Sequence, residues 1–112
     1  MVSIDVFRSL ALQLEESSES PHFEKTSFRV KNKIFATLDE KTKRAVLKLD
    51  VVNQSVFSAF DKTSIYPVDG AWGKQGWTAV ELKKVRKDLL KDALNVAHSL
   101  VTQKKRLSLK TK

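Results

Sequence analysis

Positively charged side chains outnumber acidic ones in this 112-residue sequence, with 21 lysine and arginine against 13 aspartate and glutamate residues. Residues 83–112 hold ten basic and two acidic side chains, and the whole chain carries a net charge of +8. Cations at this density contact the phosphates of nucleic acid or of another polyanion, or they form a solvated surface with no defined ligand. The residues that we predict to bind nucleic acid in this region are Lys83, Lys84, Arg86, Lys87, Lys91, Lys104, Lys105 and Arg106.

The spacing of these cations is compatible with a binding role, and a solvated helix face with a solubilising tail is the alternative. In a helix, Lys84, Lys87 and Lys91 fall on one side at i, i+3 and i+7. A cation near a helix N-terminus interacts unfavourably with the helix macrodipole and costs a few tenths of a kcal/mol of helix stability. The presence of several cations there suggests a role other than stabilising the helix. Residues 104–112 are expected to form a flexible basic tail. Contacts of this kind give salt-dependent affinity without sequence preference.

Both tryptophans and all three glycines lie between Gly70 and Trp77. Tryptophan rings in such a loop stack on bases, hold a peptide, or anchor a core. We expect a structural role, with Trp72 packed under the loop and Trp77 facing the core from a strand. Lys74, between them, is the predicted exposed contact and joins the candidate nucleic-acid-binding residues.

Catalytic and metal-binding patterns are absent from the sequence. His22 and His98 are the two histidines, and their spacing matches no zinc motif. There is no cysteine, no nucleophile elbow and no glycine-rich phosphate loop. We therefore predict no catalytic residues, metal, cofactor or small-molecule substrate, and a protein that is not an enzyme.

The composition is that of one soluble domain. Hydrophobic residues make up 41% of the chain and charged residues 30%. No apolar run approaches the roughly 20 residues that span a bilayer, and the N-terminus lacks the features of a signal peptide. The expectation is a cytoplasmic protein without a membrane contact.

The periodicity predicts the element order α, β-β-β, α, β-β, α. The first helix is capped by Ser3 and ends near Glu16. Ser17–Pro21 breaks the pattern, and His22–Phe23 is a candidate for a short edge segment. Three strands follow, at residues 27–30, 34–38 and 45–49, with a two-residue turn at Lys31–Asn32.

The second half adds two helices and two extended segments. Residues 51–60 form a helix whose predicted inward side chains are Val52, Val56, Ala59 and Phe60. Extended segments follow at residues 64–68 and 77–82. The last helix has an apolar stripe formed by Val85, Leu89, Ala93, Val96, Ala97 and Leu100. Helices on both sides of a run of strands indicate an α+β two-layer sandwich, with an antiparallel sheet covered by helices on one face and at least partly exposed on the other.

Five blocks of this sequence resemble the MmcQ/YjbR family. They are Pro21–Phe23, Ser27–Val30, Lys33–Leu38, Ala45–Leu49 and Trp72–Thr78, and the resemblance covers residues 4 to 107. It implies an α+β fold related to the type III secretion chaperone-like, or double-wing, architecture. It also implies a DNA-binding label that rests on analogy of fold. It implies no catalytic residue and no cofactor.

Two hypotheses follow for a single domain at residues 1–103 and a basic tail at 104–112. The first is a nucleic-acid-binding protein, for DNA with low specificity, that acts through phosphate contacts from the C-terminal helix and tail. The alternative is a protein–protein interaction adaptor with a secretion-chaperone-like fold. A dominant apolar surface patch would favour the adaptor.

Overall fold

Six strands and four helices make up the part of the chain that the structure describes. The computed structural model describes residues 2–22 and 24–110, with the backbone alone for residues 22 and 103–110. In chain order, the elements are α1 (Ile4–Leu12), β1 (Ser17–His22), β2 (Lys25–Val30), β3 (Lys33–Asp39), β4 (Arg44–Lys48), α2 (Val51–Phe60), β5 (Ile65–Pro67), α3 (Ala71–Lys74), β6 (Trp77–Glu81) and α4 (Lys87–Lys110).

The strands form one antiparallel sheet in the order β1-β2-β3-β4-β6-β5. Strand β6 returns between β4 and β5, so that α2 and α3 lie in the connections at that end of the sheet. This confirms the predicted α+β sandwich. The turn at Lys31–Asn32 is also confirmed, because both residues have positive φ, at 50° and 70°, as a two-residue hairpin turn requires.

Side chains alternate across the sheet and separate a covered face from an exposed one. On β4, Ala45 and Leu47 are fully buried in the core, together with Phe7 of α1 and Leu90 and Leu94 of α4. Each such large side chain contributes about 1.5–3 kcal/mol of burial free energy. The side chains that alternate with them point away from the helices. We call this second side of the sheet the open face.

Two elements exist that the sequence pattern did not predict. Strand β1 occupies the stretch that we expected to be a break, and α1 ends at Leu12 rather than near Glu16. The hydroxyl of Ser17 donates to the carbonyls of Ala11 and Leu14, which satisfies acceptors that the helix end leaves free. Pro21 is tolerated because β1 is an edge strand. The other added element is α3, inside the tryptophan loop.

The orientation of α2 is the main error in the predicted core. Val52 and Phe60 were expected to point inward, yet they are 71% and 70% exposed, and Val56 and Ala59 are exposed as well. The buried residues of α2 are Gln54 and Phe57. The helix is therefore rotated so that its most apolar side faces solvent.

The apolar stripe of α4 is confirmed. Ala93 and Ala97 are buried, and Leu89, Val96 and Leu100 are partly buried. Val85 is buried as well, but it precedes α4, which begins at Lys87. His98 connects α4 to the segment between α1 and β1 and to β3, because its Nε2 lies 2.7 Å from the carbonyl oxygen of Glu15 and its ring packs edge-on against Phe35. This contact gives His98 a structural position.

Two glycines of the tryptophan loop, Gly73 and Gly76, are required by close backbone contact, and Gly76 is required by its φ as well. A Cβ at Gly73 would lie 1.8 Å from the carbonyl oxygen of Val68. A Cβ at Gly76 would lie 1.8 Å from that of Leu49, and Gly76 also has a φ of +106°. The carbonyl of Gly76 in turn accepts from the Leu49 amide at 3.0 Å. The loop is thus fixed against the end of β4.

Gly76→Ala and Gly70→Ala form a matched pair that tests this contact. Both positions have positive φ, but a Cβ at Gly70 meets nothing within 4 Å. We expect Gly70→Ala to lower the free energy of unfolding by about 1–3 kcal/mol, because φ +78° with ψ −155° is a backbone conformation that only glycine adopts readily. Gly76→Ala should cost more than about 3 kcal/mol, because the Leu49 backbone must also move. Urea denaturation measures both, and equal costs would contradict the close contact.

Candidate nucleic-acid interface

The open face carries a groove that runs across the central strands. Its wider part has a volume of about 480 Å³ and is lined by Lys25, Ile34, Thr37, Val46, Val68, Trp72 and Trp77. A second part of about 260 Å³ continues from it, since Lys25, Thr37, Val46 and Val68 line both. One end of the groove is therefore apolar and aromatic, and the other end contains Asp39, Arg44, Tyr66 and Asp69.

The two tryptophans form the aromatic end, contrary to the structural role expected for them. Trp72 is 61% exposed instead of packed under the loop. Trp77 is half-buried on the open face, because its neighbour Thr78 takes the inward position on β6. Their ring centroids are 6.1 Å apart with planes at 78°, an edge-to-face arrangement. Trp77 supports the ring of Trp72 and leaves most of it accessible to a ligand.

Lys48 places a positive charge beside these rings. Its Nζ lies 5.7 Å from the centroid of the Trp77 ring and donates to the carbonyl of Gln75 at 3.0 Å. The cation–π contact and the hydrogen bond hold the ammonium group at the groove edge. Lys74 is exposed at the end of α3, on the same loop. An aromatic surface with adjacent cations can bind a stacked ring that is attached to an anionic group.

Three side chains organise the polar end of the groove. The hydroxyl of Tyr66 donates to Glu81 Oε2, and Arg44 Nε donates to the same oxygen at 3.1 Å. Burial raises the pKa of Tyr66, and its hydrogen bond to Glu81 adds to the rise. The hydrogen bond from Tyr66 and the positive charge of Arg44 lower the pKa of Glu81. Glu81 is therefore held ionised, and it fixes Arg44 across the β4–β6 pair.

The basic residues predicted near the last helix are exposed but do not share one helical face. Lys83 and Lys84 lie in the turn before α4, and the Lys84 amide donates to the carbonyl of Glu81. The predicted i, i+3, i+7 arrangement is wrong for Lys84 because α4 begins only at Lys87. Lys87 and Lys91 lie in α4 and are exposed.

Carboxylates offset part of this charge. Arg86 is exposed, and its Nη2 donates to Asp88 Oδ2 at 2.7 Å. It also shares a groove with Asp61 and Asp92, between α2 and the start of α4. Arg86 is thus surrounded by acidic groups, which makes it a weaker candidate for a phosphate contact.

The predicted basic tail falls mostly within the backbone of α4, which extends to Lys110. The side chains of Lys104, Lys105 and Arg106 lie outside the described residues, as do residues 111 and 112 entirely. The flexibility of residues 104–112 and their contacts with phosphate stay predictions.

Sequence reasoning missed the residues of the open face, although a signal for them was present. Lys25, Arg44, Lys48 and Tyr66 were not among the candidates, yet all four line or border the groove. Arg44 and Lys48 alternate with the buried side chains of β4, a period of two that assigns both to the face opposite the core.

The described part of the chain shows neither a metal-binding cluster nor a membrane-spanning helix. No group of three or more histidine, aspartate or glutamate side chains there is placed to hold a metal ion. Of the described helices, none combines the length and apolar character needed to cross a bilayer.

The fold is that of a small α+β protein in which one antiparallel sheet has a helical layer on one side, and in this chain the other side carries an accessible aromatic groove. The chain belongs to the YjbR family, because that family's model matches residues 12–100. This confirms the resemblance found in the sequence. A search of the curated proteins gives no significant match.

A solved structure agrees with this assignment. The crystal structure of Deinococcus radiodurans protein DR2400, which has a DUF419 domain, superposes with a TM-score of 0.80 at 29% sequence identity. The match covers 94% of this chain and 82% of that one. The likeness supports the fold over nearly the whole chain.

Glu81→Gln tests the polar end of the groove. Because the native pKa of Glu81 lies below its ordinary value of 4.5, its ionised form stabilises the fold above that pH, and the contribution is lost as the pH falls through the native pKa. We expect the variant to unfold with about 1 kcal/mol less free energy at neutral pH. The gap should narrow in acid, where the wild-type carboxylate becomes protonated. Urea titrations at several pH values measure it, and a gap that is constant with pH would contradict the role of the charge.

Proposed function

We propose that this protein binds single-stranded nucleic acid on the open face of its sheet. The observation that carries the proposal is the position of Trp72, 61% exposed and supported edge-on by Trp77, with the ammonium group of Lys48 beside the pair. A base can stack on an accessible tryptophan only when it is unstacked from its own strand, which favours a single strand over a duplex.

The charges around the groove support the same ligand. Lys25 lines both parts of it, Lys48 borders the aromatic end, and Lys74 is exposed on the tryptophan loop. Cations that flank an aromatic surface neutralise the phosphates of a strand whose bases lie on that surface. The proposal retains the nucleic-acid ligand predicted from sequence and moves its centre from the last helix to the sheet. The role is binding without catalysis.

Trp72→Ala is the direct test of base stacking. Removal of one stacking ring costs about 1–3 kcal/mol, so we expect affinity for a fluorescent single-stranded oligonucleotide to fall about 5- to 150-fold. Trp72→Phe should retain most of the affinity. Leu12→Ala, which shortens an exposed apolar side chain on α1, is the control and should change nothing. Fluorescence anisotropy at low salt measures all four proteins with DNA and RNA strands.

Lysine substitutions separate the open face from the last helix. We expect Lys25→Ala to lower the slope of log K against log salt by about 1, as the loss of one phosphate contact does. The combined Lys84→Glu, Lys87→Glu and Lys91→Glu variant should leave single-strand binding close to wild type if the open face is the site. If this variant alone loses single-strand binding, the nucleic-acid site lies at the start of α4 and not on the open face. No binding of single strands by the wild-type protein would overturn the proposal.

The adaptor hypothesis has one specific observation in its favour. The outward side of α2 exposes Val52 and Phe60 at 71% and 70%, an apolar surface on an element that does not line the groove. Exposed apolar patches of this kind mark protein contacts. We therefore infer a protein-binding surface as a second candidate function, separate from the open face.

A further inference from the structure

The polar end of the groove lies over a row of short side chains. Thr37, Val46 and Ala79 line it and pair across β3, β4 and β6. Because these side chains are short, they leave space between the aromatic rings and the charged residues. The volume of about 260 Å³ is just below the roughly 300 Å³ at which pockets begin to hold drug-sized ligands, so it suits a single ring system.

Arg44 has an unused pair of donors at this end. Its Nε donates to Glu81 Oε2 at 3.1 Å, and the hydroxyl of Tyr66 donates to the same oxygen. The guanidinium is therefore held through Nε, while its two Nη groups have no hydrogen-bond partner among the residues that the structure describes. Two Nη groups form a planar fork that matches two neighbouring acceptors. Since Glu81 already holds the side chain, less conformational entropy is lost when a ligand binds.

Asp69 supplies acceptors to the same part of the groove. It is exposed, and its carboxylate has no hydrogen-bond partner within the described part of the chain. The backbone beside it is fixed, because the Val68 amide donates to the carbonyl of Trp77 at 3.0 Å. The charges of Asp69 and Arg44 both act on the pKa of Tyr66, in opposite directions, so both groups lie near the Tyr66 hydroxyl.

The charges that line this part of the groove favour a neutral ligand with both donors and acceptors. Lys25 and Arg44 are matched by Asp39 and Asp69, so the lining has no surplus of positive charge for a phosphate. Asp39 is already engaged, because its Oδ1 accepts from the Lys41 amide at 3.0 Å. The Arg44 fork and the Asp69 carboxylate are the groups left for a ligand. The edge of a nucleobase carries both kinds of partner.

Guanine is the base that uses both groups in full. Its O6 and N7 are neighbouring acceptors, which an arginine fork binds with two hydrogen bonds. Its N1–H and its N2 amino group are neighbouring donors, which the two oxygens of one carboxylate accept. Adenine, cytosine and thymine each lack at least one of these adjacent pairs. We propose that the polar end of the groove is a guanine-selective subsite, in which Arg44 binds O6 and N7 and Asp69 binds N1–H and the N2 amino group.

This subsite rests on the proposed function, because it reads a second base of the strand that stacks on Trp72. Trp77 and Glu81 are four residues apart on β6, about 13 Å at 3.3 Å per residue, and Glu81 pairs with Arg44. A stacked strand advances 3.4 Å per nucleotide and an unstacked strand advances more, so the guanine lies about two to four nucleotides from the stacked base. Lys25 lines both parts of the groove and is positioned for the phosphates between them.

Fluorescence anisotropy with short thymidine strands that carry one central substitution tests the preference. We expect the wild-type protein to bind the strand with a central guanine about 5- to 10-fold more tightly than the strands with central thymine, adenine or cytosine. This is the low end for a bidentate base contact, because the Arg44 side chain is 48% exposed. Central 7-deazaguanine lacks N7 and central hypoxanthine lacks the N2 amino group, so each should bind more weakly than guanine.

Protein variants identify the groups that read the base. Arg44→Lys keeps a positive charge and has no fork, so it should lose the preference for guanine over 7-deazaguanine while its affinity for the all-thymine strand stays close to wild type. Asp69→Asn should lose the preference for guanine over hypoxanthine. Asp5→Asn, the same change at an exposed site on α1, is the control and should keep both preferences. Thermal melts by circular dichroism show whether each variant is folded.

The outcomes separate this subsite from the proposed function. Equal wild-type affinity for all the strands overturns the subsite and leaves stacking on Trp72 intact. A preference for another base, or a guanine preference that survives in both Arg44→Lys and Asp69→Asn, also overturns it. Trp72→Ala should weaken the binding of every strand by the same factor and keep the ratio between guanine and thymine. No binding of any strand overturns the subsite and the proposed function together.

Discussion

The buried carboxamide of Gln54 is the contact on which both exposed surfaces depend. Its Nε2 donates to the carbonyls of Gly73 and Trp77 at 2.9 and 3.1 Å, and lies 3.3 Å from the hydroxyl oxygen of Thr78. The Gln54 side chain is buried, and an amide N–H left there without an acceptor costs about 1–3 kcal/mol, so these acceptors hold the amide inward. Since Gln54 must face the sheet, the opposite side of α2, with its valines and Phe60, faces solvent. The same hydrogen bonds hold the loop that presents Trp72.

Local signals were sufficient to predict most of the fold. Ser3 accepts from the Val6 amide and begins α1, and Asp50 caps α2 in the same way, so both helix starts are fixed by residues close in sequence. The hairpin at Lys31–Asn32 and the alternation of β2 to β4 are equally local. These contacts join residues a few positions apart, and a single sequence therefore contains all the information they need.

The orientation of α2 and of the tryptophans could not be predicted because the deciding contacts are distant in sequence. Gln54 bonds to residues 19 to 24 positions later, and hydrophobic periodicity alone assigns its side of the helix to solvent. Trp77 follows the same principle. Its outward position depends on Thr78 being buried, where the hydroxyl donates to the carbonyl of Gly76 at 2.8 Å. A polar residue with three partners outweighs a pattern that counts only apolar side chains.

The distribution of charge gives the open face and α2 different chemistry. The cations near the groove come from strands and from the tryptophan loop: Lys48 lies over the Trp77 ring, Lys25 lines the groove, and Lys74 is exposed at the end of α3. The carboxylates Asp61, Asp88 and Asp92 lie on the other side of α2, next to Leu89. The aromatic end of the groove is therefore bordered by cations, whereas the groove beside α2 has three carboxylates and one cation, Arg86. Because Gln54 joins α2 to the loop of Trp72, a disturbance at that amide reaches both surfaces, whereas a change at Trp72 or at Val56 reaches one of them.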